Sequence, residues 1–291
     1  AAWRARGHEE ERGGGTPLRR RRWRLPCRSG CGGRAADGEG IQEGSPIAAA
    51  LEPLIPHERL ERARSVLAQR TEAVRIVFDR PSDSEVGNVA ACLRTLDLFG
   101  VQFAEVVATP EVCRDFPGRQ TRGAKSWVTL RWWSDARRCA AQLREAGYGL
   151  LALEPSTDLP EVEEALLFEA ARQGPQGARL AVLLPCGTSL SADLLQAADA
   201  RASLPLRGFA RAMSLNVACG VLLTQLRAAG MLRSGRLEGR LRAAVWDQWL
   251  LSLHGLRRGG RVLRALGLAP PPPPEPQPDG LGEAAADDGA G

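Results

Sequence analysis

The stretch "LPLRGFARAMSLNVACG", residues 204–220, has the sequence pattern of a strand, a turn and a helix. It starts like a buried strand, breaks at a basic, glycine-containing turn and resumes like an apolar helix. Ser214 and Asn216 stand at the helix start, where short polar side chains cap the first backbone N–H groups. Capping accounts for these two residues locally, but it does not account for Arg207 and Arg211 just upstream. The stretch therefore needs to be interpreted together with the rest of the chain.

Short apolar runs alternate with helical patterns along the middle of the chain. They predict strands over 73–80, 101–108, 148–154, 178–185 and 202–206. Helices are predicted over 56–69, 89–100, 134–147, 160–173, 191–199 and 216–229, and a loop is predicted over 121–133. This alternation predicts an α/β fold with a mostly parallel sheet covered on both faces. Ligands of such sheets bind in loops at the carboxyl ends of the strands.

Two polar residues are predicted to cap the helices that precede and follow the loop over 121–133. Asn88 stands before the apolar stripe of one helix, and Ser134 before the other. Gly147 is expected to close the second helix, because glycine readily adopts the left-handed conformation at a helix end.

Charge is distributed unevenly along the chain, whose formal total is +5. Residues 1–34 hold ten arginines and three glutamates, whereas residues 269–291 hold five acids and no bases in a proline-rich context. We therefore expect a disordered basic arm or transit segment over 1–45, a folded domain over 46–266 and a disordered, Pro-rich acidic tail over 267–291.

A second basic segment lies within the folded part. Residues 233–264 hold eight arginines against Glu238 and Asp247. A localised cationic surface of this kind favours polyanion binding. A solvated helix face is the alternative interpretation.

Several classes of site are disfavoured. Cys27 and Cys31 lack a second pair, so a zinc site is not expected, and the irregular spacing of the seven cysteines does not indicate a disulfide framework. Cys92, Cys139 and Cys219 stand in apolar runs and are expected in the core. The three histidines do not support a hydrolase triad or a metal site, and we expect no metal. No run of apolar residues is long enough to predict a membrane span.

Three stretches, in this order, resemble the SpoU/TrmH family of RNA 2′-O-ribose methyltransferases, part of the SPOUT superfamily. The first, "NVAACLRTLDLFGVQ", places Asn88 and Arg94 six residues apart, as family members do. The second, "GAKSWVTLRWWSDARRCAAQLREAGYGLLAL", is similar to the family's Lys-Trp segment and the helix and strand after it, most closely in the tRNA-guanosine branch. The third is residues 204–220, similar to the motif "I-P-(M/L)-x-G-x-x-x-S-L-N-V-S-V-A".

The resemblance implies a domain with a C-terminal deep trefoil knot, bound S-adenosylmethionine and a homodimer. It implies RNA, most closely tRNA, as the partner that is methylated on the ribose 2′-hydroxyl of a guanosine. The cofactor-binding residues that it implies are Leu153, Leu184, Gly187, Leu204, Leu206, Gly208, Ser214 and Leu215. We expect an intracellular protein, in the cytoplasm or in an organelle (chloroplast or mitochondrion), without a membrane partner.

The resemblance assigns the central catalytic role to Arg94, with Asn88 and Asn216 orienting the reacting groups. Because a free guanidinium has a pKa above about 12, we expect Arg94 to clamp a phosphate and polarise the ribose hydroxyl. An ordinary exposed position on an amphipathic helix is the alternative for Arg94. RNA binding is expected of arginines beside the cofactor motif and in the C-terminal helices: Arg207, Arg211, Arg257 and Arg258.

Three tryptophans near the second motif have two interpretations. Trp127, Trp132 and Trp133 either stack on RNA bases or pack as aromatic residues beside a strand. Packing is the more common role for aromatic residues in such a place.

Two predicted cofactor loops depart from the family pattern. The stretch "LLPCGTSLSADLL" is shorter than the family's "G-x-E-x-x-G-(V/L)-S" region and lacks its glutamate, and Pro185 removes a backbone N–H donor. The third motif has additional residues between Gly208 and Ser214. Asn88 and Arg94 are unaffected. A non-catalytic RNA-binding protein of the same fold, with a degenerate cofactor site, is therefore the alternative function.

Overall fold

The computed structural model describes residues 45–114, 116, 121–174, 179–237 and 239–274. Six parallel strands form one sheet: β1 Val74–Asp79, β2 Phe103–Val107, β3 Thr129–Trp133, β4 Tyr148–Leu153, β5 Arg179–Pro185 and β6 Ala200–Ala202. Their order across the sheet is β3-β2-β1-β5-β4-β6. The predicted α/β fold with a parallel sheet is confirmed.

Ten α-helices lie in the described ranges. They are α1 Pro46–Leu51, α2 His57–Leu67, α3 Val86–Phe99, α4 Pro110–Arg114, α5 Ala136–Glu145, α6 Glu164–Gln173, α7 Ala192–Ala197, α8 Leu215–Ala228, α9 Gly239–His254 and α10 Leu256–Ala265.

The sheet is covered on both faces. Helices α3, α6 and α8 pack on the face that carries Ile76, and α3 and α8 contact each other directly. Helices α5 and α7 pack on the opposite face, which carries Val77. A third apolar cluster joins α1, α2, α9 and α10 around the buried Trp246. All residues of β1, β2 and β4 are buried, as expected of strands with helices on both sides.

Strand β1 lies between β2 and β5, with Ile76 opposite Ala104 on one side and Val182 on the other. Because all the strands are parallel, their carboxyl ends meet at one edge of the sheet. Asp79 and Pro185, the last residues of β1 and β5, are paired in register at this edge.

An ionic network is buried within the sheet. Glu105 on β2 is fully buried and accepts hydrogen bonds from Arg75 at 2.7 Å and from Arg131 at 2.9 Å. It also accepts one from the indole N–H of Trp133 at 2.7 Å. The Arg75 Nε atom donates to the Tyr148 hydroxyl at 2.8 Å. Since a buried charge is costly without partners, these contacts explain how two arginines are accommodated in the interior.

The prediction of a loop over 121–133 is wrong at its end, where β3 forms the edge of the sheet. Arg131 interrupts the apolar pattern of this strand, and the carboxylate that pairs with it stands on β2, far away in sequence. The last strand is also displaced from its predicted range, 202–206. It covers Ala200–Ala202, and Ser203 forms only an isolated bridge with Glu161.

Two predicted helix caps are wrong. Helix α3 begins at Val86 with Glu85 in the N-cap position, so Asn88 lies inside its first turn. In α5 the capping side chain is Asp135, which accepts hydrogen bonds from the backbone N–H groups of the second and third helical residues at 2.7 and 3.2 Å. Asp135 follows Ser134 directly, and both are favourable capping residues.

The predicted arm over 1–45 lies outside the described residues except for Ser45, and residues 275–291 of the predicted tail also lie outside them. Within the described part of the tail, the Pro272 carbonyl accepts a hydrogen bond from Gln248 on α9 at 3.1 Å. Cys92, Cys139 and Cys219 are fully buried free thiols, which confirms their predicted place in the core. No helix among the described residues is long and apolar enough to cross a membrane.

Candidate functional site

A cavity of about 330 Å³ opens at the carboxyl edge of the sheet. Its walls come from the ends of β4 and β5, the chain after β6 and the beginning of α8. They comprise residues 153–155 and 184–188, Leu204, Leu206, residues 211–213, Leu215 and Ala218. The position is the one at which parallel α/β sheets bind ligands, and the volume lies in the range of small-molecule sites.

Most of the cofactor residues implied by the resemblance line this cavity. They are Leu153, Leu184, Gly187, Leu204, Leu206 and Leu215. Gly208 and Ser214 are exposed and stand outside the lining. Ser214 occupies the N-cap position of α8, but its side chain makes no capping hydrogen bond. The structure thus brings together residues from β4, β5 and the third motif.

The cavity is predominantly apolar, with two charged residues in its wall. Glu154 is paired with Arg201 through a contact of 2.6 Å, so its charge is compensated. Arg211, predicted to bind RNA, lines the cavity and is exposed to solvent. The remaining lining groups are apolar side chains, Thr188, Gly187, the Cys186 thiol and backbone atoms.

Cys186 in the cavity wall is not activated as a nucleophile. Burial raises the pKa of its thiol well above the ordinary value, and the nearby carboxylates of Glu85 and Asp79 raise it further. The group is therefore an uncharged thiol at neutral pH, whereas the thiolate is the reactive form of cysteine.

The connection that follows β5 is held against the end of β1. The backbone N–H of Ser191 donates to the buried Asp79 carboxylate at 2.5 Å, and the N–H of Cys186 donates to the Asp79 carbonyl at 3.3 Å. These two contacts fix both ends of the loop that contains Gly187. The shortened second motif is thus an ordered part of the cavity wall.

Glu85, which the sequence interpretation missed, lies next to this loop. A Cβ atom added to Gly187 would come 3.7 Å from Glu85 Oε1. The other carboxylate oxygen, Oε2, accepts hydrogen bonds from the Ser82 backbone N–H at 2.9 Å and from its hydroxyl at 2.8 Å. A serine followed three residues later by glutamate is a recognised signal at helix starts, and it was present before α3.

The predicted catalytic residues lie on the two helices that contact each other beside the cavity. Asn88 is half-buried in the first turn of α3, while Arg94 is exposed farther along the same helix. Six residues separate them, so Arg94 lies about 9 Å along the axis and roughly 240° around it from Asn88. Asn216 is exposed in the first turn of α8, after the N-cap residue Ser214, so its interpretation as a helix cap is wrong. The structure therefore places Asn88 and Arg94 on one helix but on different faces.

The predicted RNA-binding arginines are divided between two surfaces. Arg207 follows β6, is largely exposed and pairs with Glu161 at 2.7 Å. Arg257 and Arg258 are exposed on α10, far along the chain from the cavity-lining segments. Helix α10 contains no acidic residue, so its charged side chains are all cationic.

Two of the three tryptophans serve in packing. Trp132 is buried and contacts Phe116 edge-to-face at 5.2 Å, and Trp133 is buried with its indole N–H bonded to Glu105. Trp127 is half-buried. The packing interpretation is confirmed for Trp132 and Trp133, which leaves Trp127 as the candidate for base stacking.

A parallel sheet with an apolar cavity at its carboxyl edge defines a ligand-binding α/β domain. The order of the sequence motifs along the chain assigns this domain to a particular family. The model of the SpoU rRNA Methylase family matches residues 73–224, which cover β1 to β6 and most of α8. The chain belongs to this family. The match includes the cavity-lining segments, Asn88, Arg94 and Asn216, and it ends before α9 and α10.

The sequence identity to individual relatives is low. The tRNA (guanosine(18)-2′-O)-methyltransferase of Borreliella burgdorferi is 24% identical over 177 residues, which cover 60% of this chain and 76% of the relative. The crystal structure of the A. aeolicus TrmH/SpoU tRNA modifying enzyme matches this chain with a TM-score of 0.55 at 20% identity. The match covers 67% of this chain and 96% of the chain of that enzyme. At that identity, the structural similarity shows the fold.

A third similar protein is the AdoMet-bound rRNA methyltransferase from Sinorhizobium meliloti. The match has a TM-score of 0.42 at 22% identity, and it covers 56% of this chain and 59% of the chain of that methyltransferase.

Proposed function

We propose that this chain transfers a methyl group from S-adenosylmethionine to a ribose 2′-hydroxyl of RNA. The observation that carries the proposal is the apolar cavity at the carboxyl edge of the sheet, which is lined by six of the eight family-implied cofactor residues. A guanosine in tRNA is the substrate we favour, because the Borreliella burgdorferi relative is named for that reaction.

The residues of the cavity fit the proposed cofactor. Leu153, Leu204 and Leu215 provide an apolar wall for a nucleoside, and residues 184–188 offer backbone polar groups, with Pro185 providing only a carbonyl. The charge of Glu154 in this wall is compensated by Arg201, and the exposed Arg211 remains as a positive charge. Bound there, S-adenosylmethionine supplies the methyl group.

Arg94 is proposed to position the RNA. Its exposed guanidinium has no ion-pair partner among the described residues, and its planar donors match a phosphate group. Clamping the phosphate next to the modified nucleotide holds the ribose in place, and orientation of this kind accounts for a large part of catalysis in transfer reactions.

Glu85 is proposed to accept the proton of the ribose hydroxyl. Its Oε1 atom lies at the Gly187 edge of the cavity, while Oε2 is held by Ser82. A carboxylate is a better proton acceptor than a guanidinium, which remains protonated in proteins. The 2′-hydroxyl hydrogen would pass to Oε1 and then to solvent as the oxygen gains its methyl group.

The basic C-terminal helix is proposed as a second RNA contact. Arg257, Arg258, Arg261 and Arg264 are exposed on α10, which carries no acid. Cationic side chains in such an array bind phosphates without reading sequence. This surface would add affinity for RNA outside the cavity.

A deep trefoil knot and a homodimer are the remaining proposals that follow from the family. After β6 at the edge of the sheet, the chain returns to α8, which packs on α3. In the proposed knot, this returning segment would be the one that is threaded. Leu98 on α3 is 81% exposed and Val217 on α8 is 50% exposed, so these two packed helices present apolar side chains that a second copy would cover.

A calorimetric titration with S-adenosylmethionine, followed by transfer of labelled methyl to a tRNA transcript, tests the function. We expect saturable cofactor binding and transfer to the 2′-hydroxyl of the transcript. Arg94→Ala should reduce transfer at least a hundredfold while cofactor affinity stays within about twofold, because the guanidinium acts on the RNA. Arg172→Ala is the matched control, since Arg172 is an exposed helical arginine on α6.

The alternative function predicts a different result in the same assays. A non-catalytic RNA-binding protein would bind the transcript but show no saturable cofactor binding up to millimolar concentration. Wild-type transfer by Arg94→Ala would contradict the role assigned to Arg94 and leave the rest of the proposal intact.

A further inference from the structure

A second cavity, of about 380 Å³, lies between α2, α3 and α9, and none of its lining residues lines the cofactor cavity. We name it the tryptophan pocket. It is lined by Arg59, Arg62, Ala63, Val66, Asp97, Trp127, Trp249 and Leu253. None of the predicted cofactor residues or RNA-binding arginines is among them, whereas Trp127 is one of the three tryptophans for which stacking on RNA bases was one interpretation.

Two tryptophans form the apolar side of the tryptophan pocket. Trp127 and Trp249 contact each other edge-to-face, with ring centroids 5.6 Å apart and planes at 85°. Trp249 is buried, whereas Trp127 is only half-buried and contributes to the open part of the pocket. An aromatic ring in this situation offers a surface on which another flat ring can stack.

Contacts with buried residues fix the positions of both tryptophans in the tryptophan pocket. The buried guanidinium of Arg70 lies 5.1 Å from the Trp249 ring and pairs with Asp97. The Trp127 backbone is fixed as well, because its carbonyl accepts a hydrogen bond from Gln102 at 3.1 Å. A preorganised pocket loses little conformational entropy when a ligand binds.

The rim of the tryptophan pocket is cationic. Arg59 and Arg62 stand one turn apart on α2, and both are exposed. Neither has an ion-pair partner within the described part of the chain, while the carboxylate of Asp97 is occupied by Arg70. The pocket therefore combines a neutral aromatic interior with two available positive charges at its mouth. This combination suits a flat, uncharged ring attached to anionic groups.

The tryptophan pocket lies close to the proposed catalytic arginine. Asp97, in its wall, follows Arg94 by three residues on α3. Residues at this spacing are neighbours on a helix surface, with Cβ atoms about 5–6 Å apart. An RNA strand held by Arg94 can therefore continue to the pocket.

We propose that the tryptophan pocket binds one unpaired nucleotide of the RNA, with its base stacked on Trp127 and its flanking phosphates on Arg59 and Arg62. The proposal rests on the proposed function, because it takes RNA as the substrate. It adds a requirement for a single-stranded nucleotide close to the modified one. Recognition of unstacked bases on aromatic side chains is a common means of binding single-stranded RNA.

The test compares two fluorescein-labelled oligonucleotides of equal charge: a twelve-residue oligoadenylate and its abasic counterpart. Binding to the full chain is measured by anisotropy over a series of salt concentrations. We expect the wild type to bind oligoadenylate about tenfold more tightly than the abasic strand, as stacking on an aromatic residue predicts. In Trp127→Leu the two affinities should agree within about twofold. This variant keeps an apolar side chain against Trp249.

The double variant Arg59→Gln with Arg62→Gln tests the rim. Its preference for the oligoadenylate over the abasic strand should persist, while its affinities for both strands fall. The slope of the logarithm of the binding constant against the logarithm of the salt concentration should become shallower by about 1.4. The double variant Arg172→Gln with Arg227→Gln is the matched control, because both arginines are exposed on other helices. An unchanged salt slope in the rim variant would overturn the phosphate contacts.

Folding of Trp127→Leu is checked by thermal melting. A second measurement does not depend on this variant. One adenine of the oligoadenylate is replaced by 2-aminopurine, and its emission in the wild-type complex should be lower than in the free oligonucleotide, because the base stacks on the indole ring. Undiminished emission, or a tenfold base preference that survives in folded Trp127→Leu, would overturn the proposal.

The two proposals fail in different ways. If the wild type methylates RNA but its base preference is independent of Trp127, the tryptophan pocket is refuted and the enzymatic function stands. If the base preference depends on Trp127 but the protein neither binds S-adenosylmethionine nor transfers methyl, the pocket is supported and the methyltransferase proposal is refuted.

Discussion

Glu85 and Gly187 meet at the edge of the cofactor cavity, where a Cβ atom on Gly187 would lie 3.7 Å from Glu85 Oε1. The two residues come from different connections, one before α3 and the other after β5. Their proximity places a carboxylate between the cavity and the helix that carries Arg94. An acidic group is therefore present next to the Gly187 edge of the cavity, where we propose that the reaction releases a proton.

Replacing Glu85 by glutamine should slow methyl transfer about 10²-fold or more, the range associated with loss of a general base. The side chain keeps its shape, and its carbonyl oxygen can still accept the hydrogen bonds from Ser82. Cofactor affinity should change less than about twofold. Single-turnover transfer to a tRNA transcript measures the rate, and calorimetry measures the affinity.

Asp83→Asn is the control for this prediction, because Asp83 is an exposed carboxylate in the same loop. It should behave like the wild type. A Glu85→Gln variant with the wild-type rate would show that the carboxylate does not receive the proton.

The sequence predicted most of the sheet because strands buried on both faces give continuous apolar runs. Strand β3 was missed for a reason that a local pattern cannot reveal. Arg131 is accommodated inside it with its charge compensated by Glu105 on the neighbouring strand. The buried network thus depends on pairings between residues far apart in sequence.

The candidate site could be predicted in part. The resemblance named Leu153, Leu184 and Leu204, and these residues line one cavity. Glu85 could have been identified from the Ser82-to-Glu85 spacing, which is a helix-start signal. Nothing in the neighbouring sequence indicates that the loop with Gly187 passes beside it. Base stacking was one interpretation of Trp127 from the sequence, but the rest of the tryptophan pocket was not predictable, because α2, α3 and α9 are brought together only by the tertiary fold.

The buried network should dominate the stability of the sheet. Glu105→Gln removes the buried carboxylate that pairs with the guanidinium groups of Arg75 and Arg131, and we expect a loss of about 3–5 kcal/mol in the free energy of unfolding. Chemical denaturation followed by circular dichroism measures the change. Glu145→Gln, an exposed site at the end of α5, should alter stability by less than about 0.5 kcal/mol. Equal effects of the two variants would contradict a stabilising role for the network.

The arginines of α10 should contribute to RNA affinity through phosphates alone. Replacing Arg257, Arg258, Arg261 and Arg264 together by glutamine should weaken binding of all RNA sequences similarly and reduce the salt slope by about 3. Anisotropy with a labelled tRNA transcript at several salt concentrations measures both quantities. If the slope stays as in the wild type, α10 is a solvated helix face, the alternative that its composition also allows.

The outward apolar side chains of α3 and α8 should hold two copies of the chain together. Leu98→Asp combined with Val217→Asp places charges on a surface that a dimer would desolvate, and burial of unpaired charge is strongly unfavourable. Sedimentation velocity should show a wild-type dimer and a monomeric variant, with the dimer dissociation constant raised at least a hundredfold. Leu54→Asp is the control, because Leu54 is also 50% exposed but lies outside α3 and α8. A wild-type monomer at all concentrations, or a variant that remains dimeric, would show that these two helices do not form the interface.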